Sequence, residues 1–157
     1  MSPSRKIDDA VKTFSPPGEL ELDLDDGGSL SLSLTEASPV GVAFTRLTFL
    51  SADRSERPPE ALRAWADRLS ARVTYLMEPL VVVEHDREAG AVDIRSKAPT
   101  VRRDRRTYYE VRLARDGVLT MTRVAHDETT RRRDPVACQM TLEALERLAD
   151  DLVASAG

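Results

Sequence analysis

Two clusters of arginine have the clearest chemical potential in this chain. Arg102, Arg103, Arg105 and Arg106 crowd into one short stretch, and Arg131, Arg132 and Arg133 form an unbroken run further on. A guanidinium stays charged at every physiological pH and presents a rigid fork of donors, so several of them converging in space would hold phosphate or carboxylate groups. Asp104, Asp127, Glu128 and Asp134 lie among them and offset part of the charge. Both clusters fall in a basic segment: residues 95–133 carry 12 basic and 5 acidic residues, net +7, inside a chain of net charge −4. Of the 23 basic residues 20 are arginine, and asparagine is absent, a bias that GC-rich coding produces; arginine density by itself is therefore weak evidence.

The other reactive residue types lack the company their chemistry needs. Cys138 is the one cysteine, so neither an internal disulfide nor a cysteine-based metal knuckle can form, and a small buried hydrophobe is its expected role. His85 and His126 fall at opposite ends of the strands predicted below, which separates them as a metal or catalytic pair. Asp23, Asp25 and Asp26 are close in sequence, but a calcium loop started at Asp23 would place Gly27 at a ligand position and Leu34 where a bidentate glutamate must close the shell. Glycine-rich phosphate loops, a serine in a Gly-x-Ser-x-Gly turn and His-x-x-x-His spacing are all absent. The sequence offers no catalytic residue, metal ligand or cofactor site, and the reading leans away from an enzyme.

The elements that must position the arginines are strands. Tyr108 to His126 is the clearest hairpin, turning at Arg115-Asp116-Gly117. A three-residue loop closed by a left-handed glycine sets Val111 opposite Met121 and puts Tyr109, Val111, Leu113, Leu119 and Met121 on one face. A two-residue loop would split those apolar residues between faces. Before it, Leu80 to Asp86 and Ala91 to Lys97 form a further pair around Arg87-Glu88-Ala89-Gly90. Strand direction alternates, so the expected loops Ala98 to Arg106 and Asp127 to Pro135 lie at the same end of the sheet, and the two arginine clusters meet there.

Glu19 to Leu24 and Ser29 to Leu34 alternate strictly about Asp25-Asp26-Gly27-Gly28, a second hairpin with Leu20, Leu22, Leu24, Leu30, Leu32 and Leu34 on its buried face. Val40 to Leu50 reads as a third strand, bulged or buried on both sides. Leu62, Trp65, Ala66, Leu69, Val73 and Leu76 recur at three or four residues and predict a helix near 59–77, with Trp65 as its core anchor. Thr141 caps a final helix near 142–154 whose stripe is Leu142, Leu145, Leu148 and Leu152. The expected fold class is therefore α+β: about seven antiparallel strands in hairpins and a meander, packed by these two helices. Residues 1–18 read as a loosely held arm, in which Ile7 to Phe14 has room for one or two turns of helix, and residues 19–157 as one domain. No apolar run approaches the ~18 residues of a membrane span, and no apolar signal-peptide core is evident in Met1 to Phe14, so a cytoplasmic location is expected.

Three strands, a helix, more strands and a final helix in a small acidic protein resembles the element order of type III secretion chaperones, dimeric holders of unfolded effector segments. The resemblance covers element order and no motif. It implies a non-enzymatic protein-binding or adaptor module, with a protein partner or homodimer. The alternative is a nucleic-acid or phosphate-binding protein that uses the seven arginines.

Overall fold

A computed structural model describes residues 3–24 and 28–156. Helix α1 (Pro3–Thr13) leads into strands β1 (Gly18–Asp23), β2 (Ser29–Ala37) and β3 (Gly41–Leu50), followed by helix α2 (Pro59–Arg72). Strands β4 (Leu80–Asp86), β5 (Ala91–Ser96), β6 (Thr100–Arg102), β7 (Arg105–Ala114), β8 (Val118–Asp127), β9 (Arg133–Val136) and β10 (Cys138–Thr141) come next, and helix α3 (Leu142–Ala156) ends the described chain. All ten strands join one antiparallel sheet with the order β1-β2-β3-β8-β7-β5-β4, while β6, β9 and β10 pair with β7, β8 and β3 respectively. The α+β class is thus as the sequence predicts, with three more strands than the expected seven.

The main hairpin has the predicted register. Val111 faces Met121 and Leu113 faces Leu119, and Gly117 closes the loop at φ +86°. Tyr109, Val111, Leu113, Leu119 and Met121 are all buried, as a single apolar face requires. In the β1–β2 hairpin Leu20 faces Leu32 and Leu22 faces Leu30; its turn, and with it most of the acidic group weighed for calcium, lies outside the described residues. Bulges interrupt the β2–β3 pairing around Leu34, and the third strand is buried at Val42, Ala43, Phe44, Leu47 and Phe49.

Three expectations are corrected. The amino-terminal stretch predicted to be a loose arm is helical over Pro3–Thr13, and Ile7 and Val11 are buried in the common core against α3. Their spacing is one helical turn, which suffices to dock a short helix once α3 offers an apolar face. Helix α2 stops at Arg72, not near residue 77, because Val73 leaves helical geometry at φ −89°, ψ 87° while its N–H still caps Leu69 O. The segment that follows is drawn away by its own side chains: Tyr75 Oη donates to Asp151 of α3 and Glu78 reaches the sheet. The stretches expected as loops at 98–106 and 127–135 contain β6 and the start of β9. Arg102 pairs with Arg105 across a two-residue turn in which Arg103 takes φ 56°, a tight hairpin that apolar alternation cannot reveal.

This edge chemistry shapes the sheet. Strand β3 pairs with β8 through Leu47–Leu50 but with β10 through Gly41–Phe44. Strand β8 in turn pairs with β9 through Arg123–His126. The step at Ala137 therefore carries the chain from one side of the gap to the other and splays β3 from β8. Helices α2 and α3 cover one face, with Trp65 fully buried as their anchor. The Thr141 hydroxyl accepts from Ala144 N–H at 3.0 Å and caps α3 as predicted. Among the described residues no helix is long and apolar enough to cross a membrane.

Candidate functional site

The splayed end of the sheet holds a pocket of about 650 Å³ lined by Met77, Thr100, Thr107, Tyr109, Arg123 and Gln139 within, and by Arg102, Arg103, Asp104, Arg105 and Asp127 around it. Its position follows from the strands. Alternation along β7 sends Arg105, Thr107 and Tyr109 to the helix side of the sheet, and the same alternation along β8 sends Leu119, Met121 and Arg123 there. Tyr109 and Arg123 are direct cross-strand partners.

Arg123 is the centre of a buried polar network. Its Nη1 and Nη2 donate to Glu78 Oε1 and Oε2 at 3.0 and 2.9 Å, a bidentate pair in which both side chains are about 5% exposed. Its guanidinium lies 4.2 Å from the Tyr109 ring centroid. Ser96 Oγ donates to Glu78 Oε1 and Thr100 Oγ1 to Oε2, each at 2.7 Å, and Ser96 Oγ accepts the Tyr109 N–H. Burial alone would raise the Glu78 carboxyl, but the donors from Arg123, Thr100 and Ser96 outweigh it and hold the group below the usual carboxylate range. For Arg123, burial works against the charged form and the bonds to Glu78 prevail, so its affinity for the proton rises. The network ties the end of α2's trailing segment to β5, β6 and β8. Because Glu78 neutralises Arg123, the positive field of the pocket comes from its rim.

The structure places the seven predicted arginines as follows. The β6–β7 and β8–β9 turns lie side by side, joined by Glu128 N–H to Asp104 O at 2.9 Å and Thr129 Oγ1 to Asp104 Oδ2 at 3.0 Å. Arg102, Arg103 and Arg105 border the pocket, and among the described residues none of the three is in an ion pair. Arg106 pairs with Glu128, Arg132 with Asp134 and Arg133 with Glu110. Arg106, His126 and Arg133 form one cross-strand rung, on the sheet face opposite the pocket, whereas Arg131 sits in the β8–β9 turn at φ 61°. The clusters are neighbours, but they are divided between two faces and differ in how far their charge is already spent.

The acids nearby are occupied. Asp127 accepts the N–H groups of Thr130 and Thr129, which keeps its carboxyl below the usual range, and Asp104 is held by Thr129. Cys138 is fully buried and burial pushes its thiol up to about 12, so it stays protonated. No group of three or more potential metal ligands occurs among the described residues. The rim presents guanidinium donors toward the pocket. No protein-family model matches the chain, and no curated protein or solved structure does either.

Proposed function

We propose that this chain is a non-enzymatic binding module that captures a phosphate-bearing ligand in the pocket between the β6–β7 turn, β8 and the β9–β10 corner. The observation that carries this reading is the rim: Arg102, Arg103 and Arg105, in no ion pair within 4.0 Å among the described residues although Arg105 faces Asp127 across the strands, border a concavity whose floor is locked by the Glu78–Arg123 network. An exposed guanidinium that is not already paired can turn its fork of donors to an arriving anion, and exposed Met77, which lines the same pocket, offers contact to an apolar portion of the ligand. Binding is measured by retention on heparin and by anisotropy of a fluorescein-labelled single-stranded oligonucleotide at rising NaCl concentrations. Affinity falls steeply with salt, and R102Q/R103Q/R105Q weakens it at least roughly tenfold. R131A/R132A/R133A weakens it less, since Arg132 and Arg133 already have partners. Absence of retention at low salt, or a rim variant that binds as the wild type does, sinks the proposal.

A second reading, a protein-binding or adaptor module that recruits its partner by strand pairing, is supported by β4. This strand ends the sheet and exposes Val81 and Val83. An open edge with apolar side chains can accept a strand from another chain or from a second copy.

A further inference from the structure

At the opposite end of the sheet, the β4–β5 turn, the β7–β8 turn and the start of α2 enclose a smaller cleft of about 340 Å³. Arg57, Arg87, Arg115 and His85 line it, together with Glu56, Pro58, Pro59 and Leu62. Arg57 is fixed in place: its guanidinium lies 4.9 Å from the Trp65 ring centroid and Nη2 donates to Ser51 Oγ at 3.0 Å. Two glycines at positive φ vacate the room these cations occupy. A Cβ on Gly117 would stand 2.8 Å from Arg57 Nη1, and one on Gly90 would stand 2.4 Å from Arg115 Cδ. Arg115 Nε meets Glu56 at 2.9 Å and Arg87 Nη1 meets Glu60 at a long 3.4 Å, single-point contacts that leave most of each guanidinium fork unspent.

Two buried polar atoms of this cleft's own residues, Arg57 Nη1 and His85 Nε2, have no hydrogen-bond partner among the described residues. Buried polar atoms are rarely left unmet, and an ion or a water molecule is among the ordinary explanations where they are. Arg57 Nη1 lies against Gly117, behind the lining, but both residues line one cleft, whose charges are three arginines against one glutamate. A cation would find a single carboxylate there, already paired; a compact oxyanion would find several directed donors.

We propose that this cleft is a second anion site, which takes a compact phosphate group and is separate from the arginine-rimmed pocket. The probe is inorganic phosphate titrated into the full chain at fixed pH and ionic strength, with chloride as the compensating anion. The readout is the imidazole proton signals of His85, distinguished from those of His126 by the variant His85→Gln. His85 signals shift saturably with phosphate. R87Q/R115Q weakens the titration at least roughly tenfold, because each removes a charge-assisted donor. Arg87 and Arg115 are about half exposed or more, so neither substitution empties the core, and the single variants R87Q and R115Q each give a partial loss if the pair should fail to fold. The variant R102Q/R103Q/R105Q keeps the His85 response, which separates this site from the first pocket. No shift, a shift unaltered in R87Q/R115Q, or one lost equally in the rim variant overturns the proposal.

Discussion

Arg123 and Glu78 show most plainly how a single buried pair earns its place. Removing two charges from water is costly, and that cost is met here by two guanidinium bonds, two hydroxyl bonds and a stacked tyrosine. Removing one partner strands the other. Arg123→Met should therefore destabilise the protein by about 3–5 kcal/mol, while adding Glu78→Leu to it should recover part of the loss; urea unfolding of the two variants decides this, and a double variant weaker than the single would refute it. The same pair sets an acid limb. Because the folded Glu78 carboxyl titrates below its unfolded value, its stabilisation is complete above roughly pH 4.3 and disappears as pH falls through the lower folded value. Glu78→Gln should flatten that limb, which a urea midpoint measured against pH would show. Arg123 could have been found in the sequence: it stands two residues beyond Met121 on an alternating strand, so the predicted buried face runs straight into it. Glu78, between a helix and Pro79, obeys no period and leaves no such mark.

Among the elements, those with long apolar periods were legible and those held by polar pairing were not. The Tyr108 to His126 hairpin shows its loop length because only one register gathers Tyr109, Val111, Leu113, Leu119 and Met121, and all five are buried. Strands β6 and β9 are three and four residues long and mostly polar, so pairing with β7 and β8 defines them and composition does not. Helix α1 was legible but under-read: Ile7, Ala10, Val11 and Phe14 fall at helical spacing, and all four contribute to the core or pack against it. If the helix is docked, Ile7→Ala should cost about 2–5 kcal/mol, as for other fully buried aliphatic truncations. A urea unfolding midpoint unchanged from wild type would show instead that α1 contributes nothing to the fold.

At the scale of the whole molecule, an open sheet must end in two edges, and these differ in what they permit. Strand β1 presents Glu19, Glu21 and Asp23, so a second β1 laid against it would confront acid with acid. Strand β4 exposes Val81 and Val83 and is bulged between Val82 and Glu84, which limits the length over which another strand can pair. Antiparallel pairing of two β4 strands about Val83 would set Val82 opposite Glu84 and Leu80 opposite Asp86, with no like charges facing. Short pairing without charge conflict predicts weak, concentration-dependent association through β4. Light scattering across the micromolar range should show a dimer that V81K/V83K abolishes and R102Q/R103Q/R105Q leaves intact. A wild-type protein that stays monomeric throughout would remove self-pairing from the adaptor reading and leave a different chain as the strand donor that edge β4 could accept.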